Sequence, residues 1–123
     1  MTQEEKELLI KDLCARLPYG VKINENTQGD FTVIGLTMER VFTTCETEGC
    51  HNDFPVECVK PYLFPLSSMT EEQEKEYNNL NCYELGCFPH SEEALDYLTK
   101  NHFDYRYLID NGLAIDATGL NIY

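Results

Sequence analysis

Residues 56–73 have the sequence VECVKPYLFPLSSMTEEQ and divide the chain into two parts with different hydrophobic patterns. Before this stretch, apolar residues tend to alternate with polar ones, which is typical of β-strands. After it, apolar residues recur every three or four positions, which is typical of amphipathic helices. The change of period predicts strands between Val21 and Tyr62, and helices between Thr70 and Gly112.

The segment that precedes the strands has the pattern of an amphipathic helix. Thr2 and Glu5 match a capping box, so a helix is predicted from Glu4 to Arg16. Gly20, just after Pro18, predicts its end. The expected buried stripe consists of Leu9, Ile10, Leu13, Cys14 and Leu17.

The strand region contains several short extended segments. Phe31–Met38 is rich in β-branched and aromatic residues, and Gly35 within it indicates a bulge. Arg40–Cys45 follows after a short connection and is expected to pair with it as a hairpin. Residues 46–53 are polar and predict a loop.

The last predicted strand is Val56–Tyr62, with Pro61 at an edge or at the strand's exit. Short strands that bend within about 45 residues suit a small antiparallel sheet or an SH3-like barrel. After them, Thr70 and Gln73 form a second capping box and predict a largely exposed helix from Glu71 to about Leu80. A further helix is predicted from Glu92 to Asn101, followed by a turn capped by Asp104.

The chain is therefore expected to form one α+β domain over residues 1–123. A helical part covers residues 1–20, a small bent antiparallel sheet or barrel covers 21–65, and a mostly helical part covers 66–123. No apolar run approaches the ~18 residues of a membrane-spanning helix, and the N-terminus is acidic rather than basic. These features predict a cytoplasmic protein.

The composition is strongly acidic, with 22 Asp and Glu against 9 Lys and Arg and a formal charge of −13. Phosphate groups are bound mainly by Lys and Arg, so direct nucleic-acid binding is disfavoured. The plainest interpretation of the acidity is solubility. The sharper interpretation is an acidic face that binds a protein partner with a basic surface.

Two sets of side chains have the chemistry of zinc ligands. The first set is Cys45, Cys50, His51 and Cys58. The second set is Cys82, Cys87 and His90. Structural zinc sites usually pair cysteines two to four residues apart in a CxxC-like motif. The cysteine pairs Cys45–Cys50 and Cys82–Cys87 each have four intervening residues and do not fit this spacing closely, and CxxC is absent. A cytoplasmic location also favours reduced thiols. We predict no metal and no other cofactor.

Enzymatic activity is not expected. The chain contains no phosphate-binding loop and no dinucleotide-binding motif. No pair of carboxylates lies in an otherwise apolar segment, which is the setting that shifts a pKa for acid–base catalysis. A Cys–His nucleophile would need His51, His90 or His102 as its base, and none of them has a suitable local sequence.

Two groups of residues are candidates for partner binding. The first, on the exposed helix, is Glu71, Glu72, Glu74 and Glu76. The second, near the C-terminus, is Tyr105, Arg106 and Tyr107. Tyrosine and arginine are frequent at the energetic centres of protein interfaces. The alternative for the second group is packing of the aromatic rings against the sheet.

Three segments, residues 12–21, 59–70 and 102–114, in this order and spacing resemble small uncharacterised proteins of Bacteroidales phages, prophages and conjugative elements. The resemblance covers nearly the whole chain and implies a mobile-element protein made inside a bacterial cell. It implies no activity, cofactor or catalytic residue. The similar proteins tend to have Arg at the position of Phe64 and Gly at that of Tyr107.

The combined prediction is a non-enzymatic protein-binding domain of a phage or mobile element. One specific hypothesis is counter-defence, in which ordered carboxylates mimic nucleic acid and occupy a host nucleic-acid-binding or defence protein. Two alternatives remain open. A nucleic-acid accessory protein would need Lys22, Arg40 and Lys60 to form one basic face, and a zinc-stabilised domain would need the cysteine sets to meet.

Overall fold

A computed structural model describes residues 1–25, 27–44, 52–80 and 92–123. Its helices are α1 (Gln3–Arg16), α2 (Glu71–Leu80) and α3 (Glu92–Lys100). Its strands are β1 (Lys22–Glu25), β2 (Gly29–Leu36), β3 (Arg40–Thr43), β4 (Asn52–Pro55), β5 (Val59–Pro65), β6 (Phe103–Asp104) and β7 (Ile115–Asp116). The α+β class, the early strands and the later helices are as predicted.

Helix α1 begins at the predicted capping box. The Glu5 N–H donates to Thr2 Oγ1, and the Thr2 N–H donates to Glu5 Oε1, each at 3.1 Å. The helix ends before a 3₁₀ turn that closes at Gly20, whose φ of 69° is left-handed and suits glycine. Leu9 and Leu13 are fully buried on the sheet side.

The predicted apolar stripe of α1 was wrong at one position. Cys14 is exposed, whereas Asp12 and Arg16 are fully buried. The buried positions Leu9, Asp12, Leu13 and Arg16 follow the i, i+3, i+4, i+7 spacing of a single helix face. A charged pair therefore occupies part of the face that the pattern had assigned to apolar residues.

The sheet has the strand order β4-β3-β2-β1-β5-β6, and β7 pairs with β5 as well. Strands β1 to β5 pair antiparallel, whereas β6 and β7 lie parallel to β5, so the sheet is mixed rather than purely antiparallel. The chain returns to β5 from α3, and a crossover of this length permits parallel pairing. The described residues record no pairing between β4 and β6, the two ends of the strand path. The predicted bulge lies where the β2–β3 register shifts between Val33 and Gly35.

The prediction for residues 46–62 needs two corrections. Residues 52 and 53, which were expected in a loop, belong to β4, because Phe54 of this strand packs into the core opposite Val41 of β3. Val56–Cys58, which was expected to be extended, is a 3₁₀ turn, and the strand begins at Val59. This strand of four residues was not predicted because it begins with polar residues and ends with a proline.

Pro61 is also not at an edge or an exit. It lies buried within β5, opposite Ile23 of β1. Strand β7 pairs with β5 at Tyr62 and Leu63, after Pro61, so the absent N–H of Pro61 interrupts none of the described parallel pairs.

The core lies between α1 and the inner face of the sheet. Its members are buried aliphatic residues with additions from the C-terminal segment, including Leu9, Leu13, Ile23, Val33, Val41, Leu63, Leu108 and Leu113. Within the described ranges, no helix has both the length and the apolarity needed to cross a membrane.

The two later helices, α2 and α3, lie where the sequence predicted them. Gln73 N–H donates to Thr70 Oγ1 at 3.2 Å, and Thr70 N–H donates to Gln73 Oε1 at 2.9 Å, which confirms the second capping box. Helix α3 packs against α2 and buries Ala94 and Leu98. The turn after β6 is capped by Asp104, as the sequence predicted.

Candidate functional site

Helix α2 presents the predicted acidic group to solvent. Glu71, Glu72, Glu74 and Glu76 are all exposed, and no α2 residue is fully buried. The carboxylate of Glu76 accepts a hydrogen bond from the phenol of Tyr97 on α3; burial and, secondarily, this bond raise the pKa of Tyr97. The three other glutamates form no ion pair with any described residue, so their charges face outward.

More than half of the basic side chains, in contrast, are bound to other groups of the same chain. Five of the nine Lys and Arg residues bind groups of the same chain. The pairs are Lys6–Glu57, Arg16–Asp12, Arg106–Asp12 and Arg40–Asp53, and Lys22 donates to the Ile122 carbonyl. The surface is therefore poorer in available positive charge than the composition alone indicates.

The second candidate group is split by the structure. Arg106 binds the buried Asp12 at 2.8 Å, and its guanidinium lies 4.5 Å from the ring centre of Tyr105. Arg16 approaches the same ring, at 5.6 Å. Tyr105 and Arg106 thus help to lock the C-terminal segment onto α1. Phe103, the neighbouring aromatic residue, is buried in the core as the alternative interpretation expected.

Tyr107 has the opposite environment. Its side chain is 60% exposed, and its φ of 58° lies in the left-handed region, where a tyrosine is unusual. The turn is held by the two bonds from the Asp104 carboxylate to the Leu108 and Ile109 N–H groups, each 2.9 Å long. Backbone strain of this kind is kept only where surrounding contacts impose it. Here it directs a large aromatic ring into solvent.

Two shallow cavities connect Tyr107 to α2. One, of about 230 Å³, is lined by Pro65, Leu66, Ser67, Asp104, Tyr107, Ile109 and Asp110. The other, of about 300 Å³, is lined by Leu66, Ser67, Met69, Glu74, Tyr77 and Asn78. They share Leu66 and Ser67 of the 3₁₀ turn Leu66–Ser68, and we call the pair the Leu66 groove. This groove joins two candidate groups that are about 30 residues apart in the sequence.

No protein-family model matches the chain. No curated protein and no solved structure matches it either. The function is therefore inferred from the residues of the acidic helix, the groove and the sheet.

The basic residues required by the nucleic-acid interpretation share the outer face of the sheet. Lys22 alternates with the buried Ile23, Lys60 lies opposite Asn24, and Arg40 precedes the buried Val41. Two of the three are already engaged, since Lys22 donates to a carbonyl and Arg40 pairs with a carboxylate. This face gives the nucleic-acid interpretation less support than α2 gives to protein binding.

The zinc interpretation falls mostly on residues outside the described ranges, namely Cys45, Cys50 and His51 in one set and Cys82, Cys87 and His90 in the other. Cys58 is described and is an exposed free thiol. Within the described residues, no three His, Cys, Asp or Glu side chains are grouped as metal ligands. The absence of metal stays a prediction.

Sequence reasoning missed the contact between His102 and Tyr123. Their rings stack with centres 4.0 Å apart and planes inclined by 11°. Burial and then the charge of Arg16 lower the pKa of His102 to about 4, so the imidazole is neutral at pH 7. Burial of the phenol raises the pKa of Tyr123 to about 12. No local pattern signals this pair, because its members lie in segments that meet only in the folded chain.

Proposed function

We propose that the protein is a non-enzymatic protein-binding domain that engages a basic segment of its partner through α2 and the Leu66 groove. The observation that carries this proposal is the continuity of the acidic helix with an apolar groove that ends at the exposed ring of Tyr107. The partner is expected to place basic side chains along Glu71, Glu72 and Glu74 and apolar side chains over Leu66.

The two parts of this surface have different roles. Exposed carboxylates on a capped helix attract a basic surface over several ångströms and raise the association rate, but they contribute modestly to affinity. Apolar contacts with a rigid aromatic ring supply most of the affinity in typical interfaces. Tyr107 is therefore expected to control the dissociation rate of the complex, and the glutamates are expected to control its association rate.

The resemblance to mobile-element proteins suggests the class of partner. Proteins that bind nucleic acids carry basic surfaces, and helix α2 offers a row of carboxylates to such a surface. Our specific hypothesis is that the partner is a host nucleic-acid-binding or defence protein, whose nucleic-acid site the domain occupies. The proposal of protein binding does not depend on this narrower identity.

The test compares partner recovery by three forms of a tagged chain from a Bacteroidales lysate. The first is the wild type, and the second carries Glu71→Gln, Glu72→Gln and Glu74→Gln. Glu76 is left unchanged because Tyr97 binds it. The third form, a charge-matched control, carries Glu4→Gln, Glu7→Gln and Glu39→Gln, which are exposed residues on α1 and in the β2–β3 turn.

The proposal predicts a protein that the wild type and the control recover and the α2 variant does not. Its association rate with the purified wild type should fall as salt rises from about 0.05 to 0.5 M, because screening shortens the range of charge attraction. Tyr107→Ala should increase the dissociation rate of the same complex. Equal recovery by all three forms, with no dependence on salt, would refute the acidic-helix proposal.

A further inference from the structure

A larger cavity, of about 550 Å³, lies on another part of the surface. Its lining comes from four separate segments of the chain, namely the end of β5, the start of α2, the end of α3 with β6, and the C-terminal residues. The lining residues are Phe64, Ser68, Gln73, Lys100, Asn101, His102, Phe103, Thr118, Gly119 and Tyr123. This volume is within the usual range for small-molecule sites, about 300–1,000 Å³.

The walls of the cavity are aromatic. The ring of Phe64 lies 6.2 Å from that of Phe103 and 6.0 Å from that of Tyr123, both in tilted arrangements. Tyr123 in turn stacks on His102. Such walls bind planar rings by stacking or edge-to-face contact.

The charge of the lining is unusual for this chain. The protein has 22 acidic residues, yet none of the ten lining residues is Asp or Glu. The Leu66 groove, in comparison, is lined by Glu74 at one end and Asp110 at the other. Lys100 is exposed at the rim of the larger cavity and forms no ion pair with a described residue. A lining that has no Asp or Glu side chain and includes an ammonium group favours an anion.

His102, one of the lining residues, has a buried polar atom. The side chain is 6% exposed, and its Nδ1 is buried without a hydrogen-bond partner among the described residues. The backbone of Tyr19 hydrogen-bonds the imidazole, which leaves Nδ1 as the unsatisfied nitrogen. A buried acceptor without a donor costs free energy, and such atoms in native proteins often mark a ligand site.

We infer that this cavity binds a small planar aromatic anion. The ring of the ligand packs against the aromatic wall that Phe64 and Tyr123 form together, and the anionic group meets the ammonium of Lys100. Because the net charge of the protein repels anions at a distance, this short-range pairing with Lys100 is necessary for binding.

Two probe pairs test the inference and separate the two common sources of such an anion. Indole-3-carboxylate is compared with indole-3-carboxamide, and adenosine monophosphate with adenosine, by calorimetry and by NMR of the full chain. In at least one pair we expect the anion to bind about tenfold or more tightly than its neutral counterpart. The amide signals of Lys100, His102 and Tyr123 should shift with the same saturation curve.

Matched variants locate the binding site. Lys100→Gln should abolish the preference for the anion, whereas Lys75→Gln, the same charge change on α2 outside the cavity, should leave it intact. Thermal melting confirms that each variant is folded. The inference is overturned if neither anion is preferred, or if Lys75→Gln and Lys100→Gln weaken binding equally. The proposed partner-binding surface on α2 does not include Lys100, so failure here leaves the protein-binding proposal standing.

Discussion

The carboxylate of Asp12 accepts the Nε–H of Arg16 at 2.9 Å, and neither side chain is exposed to solvent. The other carboxylate oxygen binds Arg106 at 2.8 Å. The guanidinium of Arg16 also donates to the backbone carbonyls of Thr99 and Phe103. One buried ion pair on α1 therefore ties the first helix to the C-terminal segment.

Asp12→Ala should lower the free energy of unfolding by about 3–5 kcal/mol, because it leaves the buried charge of Arg16 unpaired. Chemical denaturation at neutral pH measures the loss. Asp53→Ala is the control, since it breaks the exposed pair with Arg40, and it should cost at most about 1 kcal/mol. Similar losses for the two variants would show that the Asp12 network is not a buried one.

Leu13→Ala should lower the free energy of unfolding by about 2–5 kcal/mol, the usual range for a fully buried leucine. Leu120→Ala is the matched control, because this leucine is half exposed, and it should change stability by less than about 0.5 kcal/mol. Thermal melting compares them. If Leu13→Ala melts like the wild type, α1 is not packed on the sheet as described.

Tyr123→Phe should destabilise the protein by about 1–3 kcal/mol through the loss of one hydroxyl. That hydroxyl accepts the Lys22 N–H at 2.9 Å and donates to the Tyr62 carbonyl at 2.8 Å, so it bridges β1 and β5 where their ladder ends. Denaturation of Tyr123→Phe and of Tyr107→Phe, whose hydroxyl is on the surface, measures the difference. Equal stability would contradict the bridge.

The same phenol predicts a dependence on high pH. Its folded pKa of about 12 is above the ordinary value of 10.0, so folding favours the neutral form. The stabilisation is complete below pH 10 and is lost as the pH rises towards 12. The stability of Tyr123→Phe should therefore approach that of the wild type over this window, and a constant gap between them would refute the shift.

His102 predicts a dependence on mildly acidic pH. Its folded pKa of about 4 is below the ordinary 6.5, so the unfolded chain binds a proton that the folded chain does not. Stability is complete above pH 6.5 and falls with the pH towards 4, by up to about 1.4 kcal/mol per unit. Burial of the ring and the charge of Arg16 lower this pKa, whereas the Tyr19 backbone and the charge of Asp12 raise it by smaller amounts.

The variant His102→Asn isolates this effect, because asparagine tolerates the left-handed backbone that His102 adopts at φ 60°. Denaturation midpoints are compared between pH 6.5 and 5, above the range in which most carboxylates titrate. The wild type should lose stability over this window faster than His102→Asn. Parallel curves would mean that His102 is protonated equally in both states.

The sequence predicted those features whose partners are close along the chain. Both capping boxes join residues three positions apart, and Gly20 adopts its left-handed conformation by itself. The exposure of α2 was also predictable, because only Tyr77 and Leu80 offer it apolar contacts. Such features depend on local geometry, which the pattern of residue types records directly.

The rest depends on contacts between distant residues. Asp12 and Arg16 have the residue types of a solvated helix face. Their burial depends on partners far along the chain: Arg16 donates to the carbonyl of Phe103, 87 positions away, and Asp12 accepts from Arg106, 94 positions away. The Leu66 groove could not be predicted because Tyr107 and α2 meet there only through the 3₁₀ turn. The aromatic cavity was missed for the same reason.

The long-range bonds of Arg16 also constrain when the protein can fold during its synthesis. The ribosome adds Arg16 to the chain 87 residues before it adds Phe103. The carbonyl of Phe103 accepts a hydrogen bond from the guanidinium of Arg16. Until that carbonyl and Arg106 emerge, packing α1 on the sheet would bury an incompletely bonded guanidinium, which is unfavourable. The apolar faces of α1 and the nascent strands therefore stay accessible to chaperones through most of translation, and the last quarter of the chain completes folding.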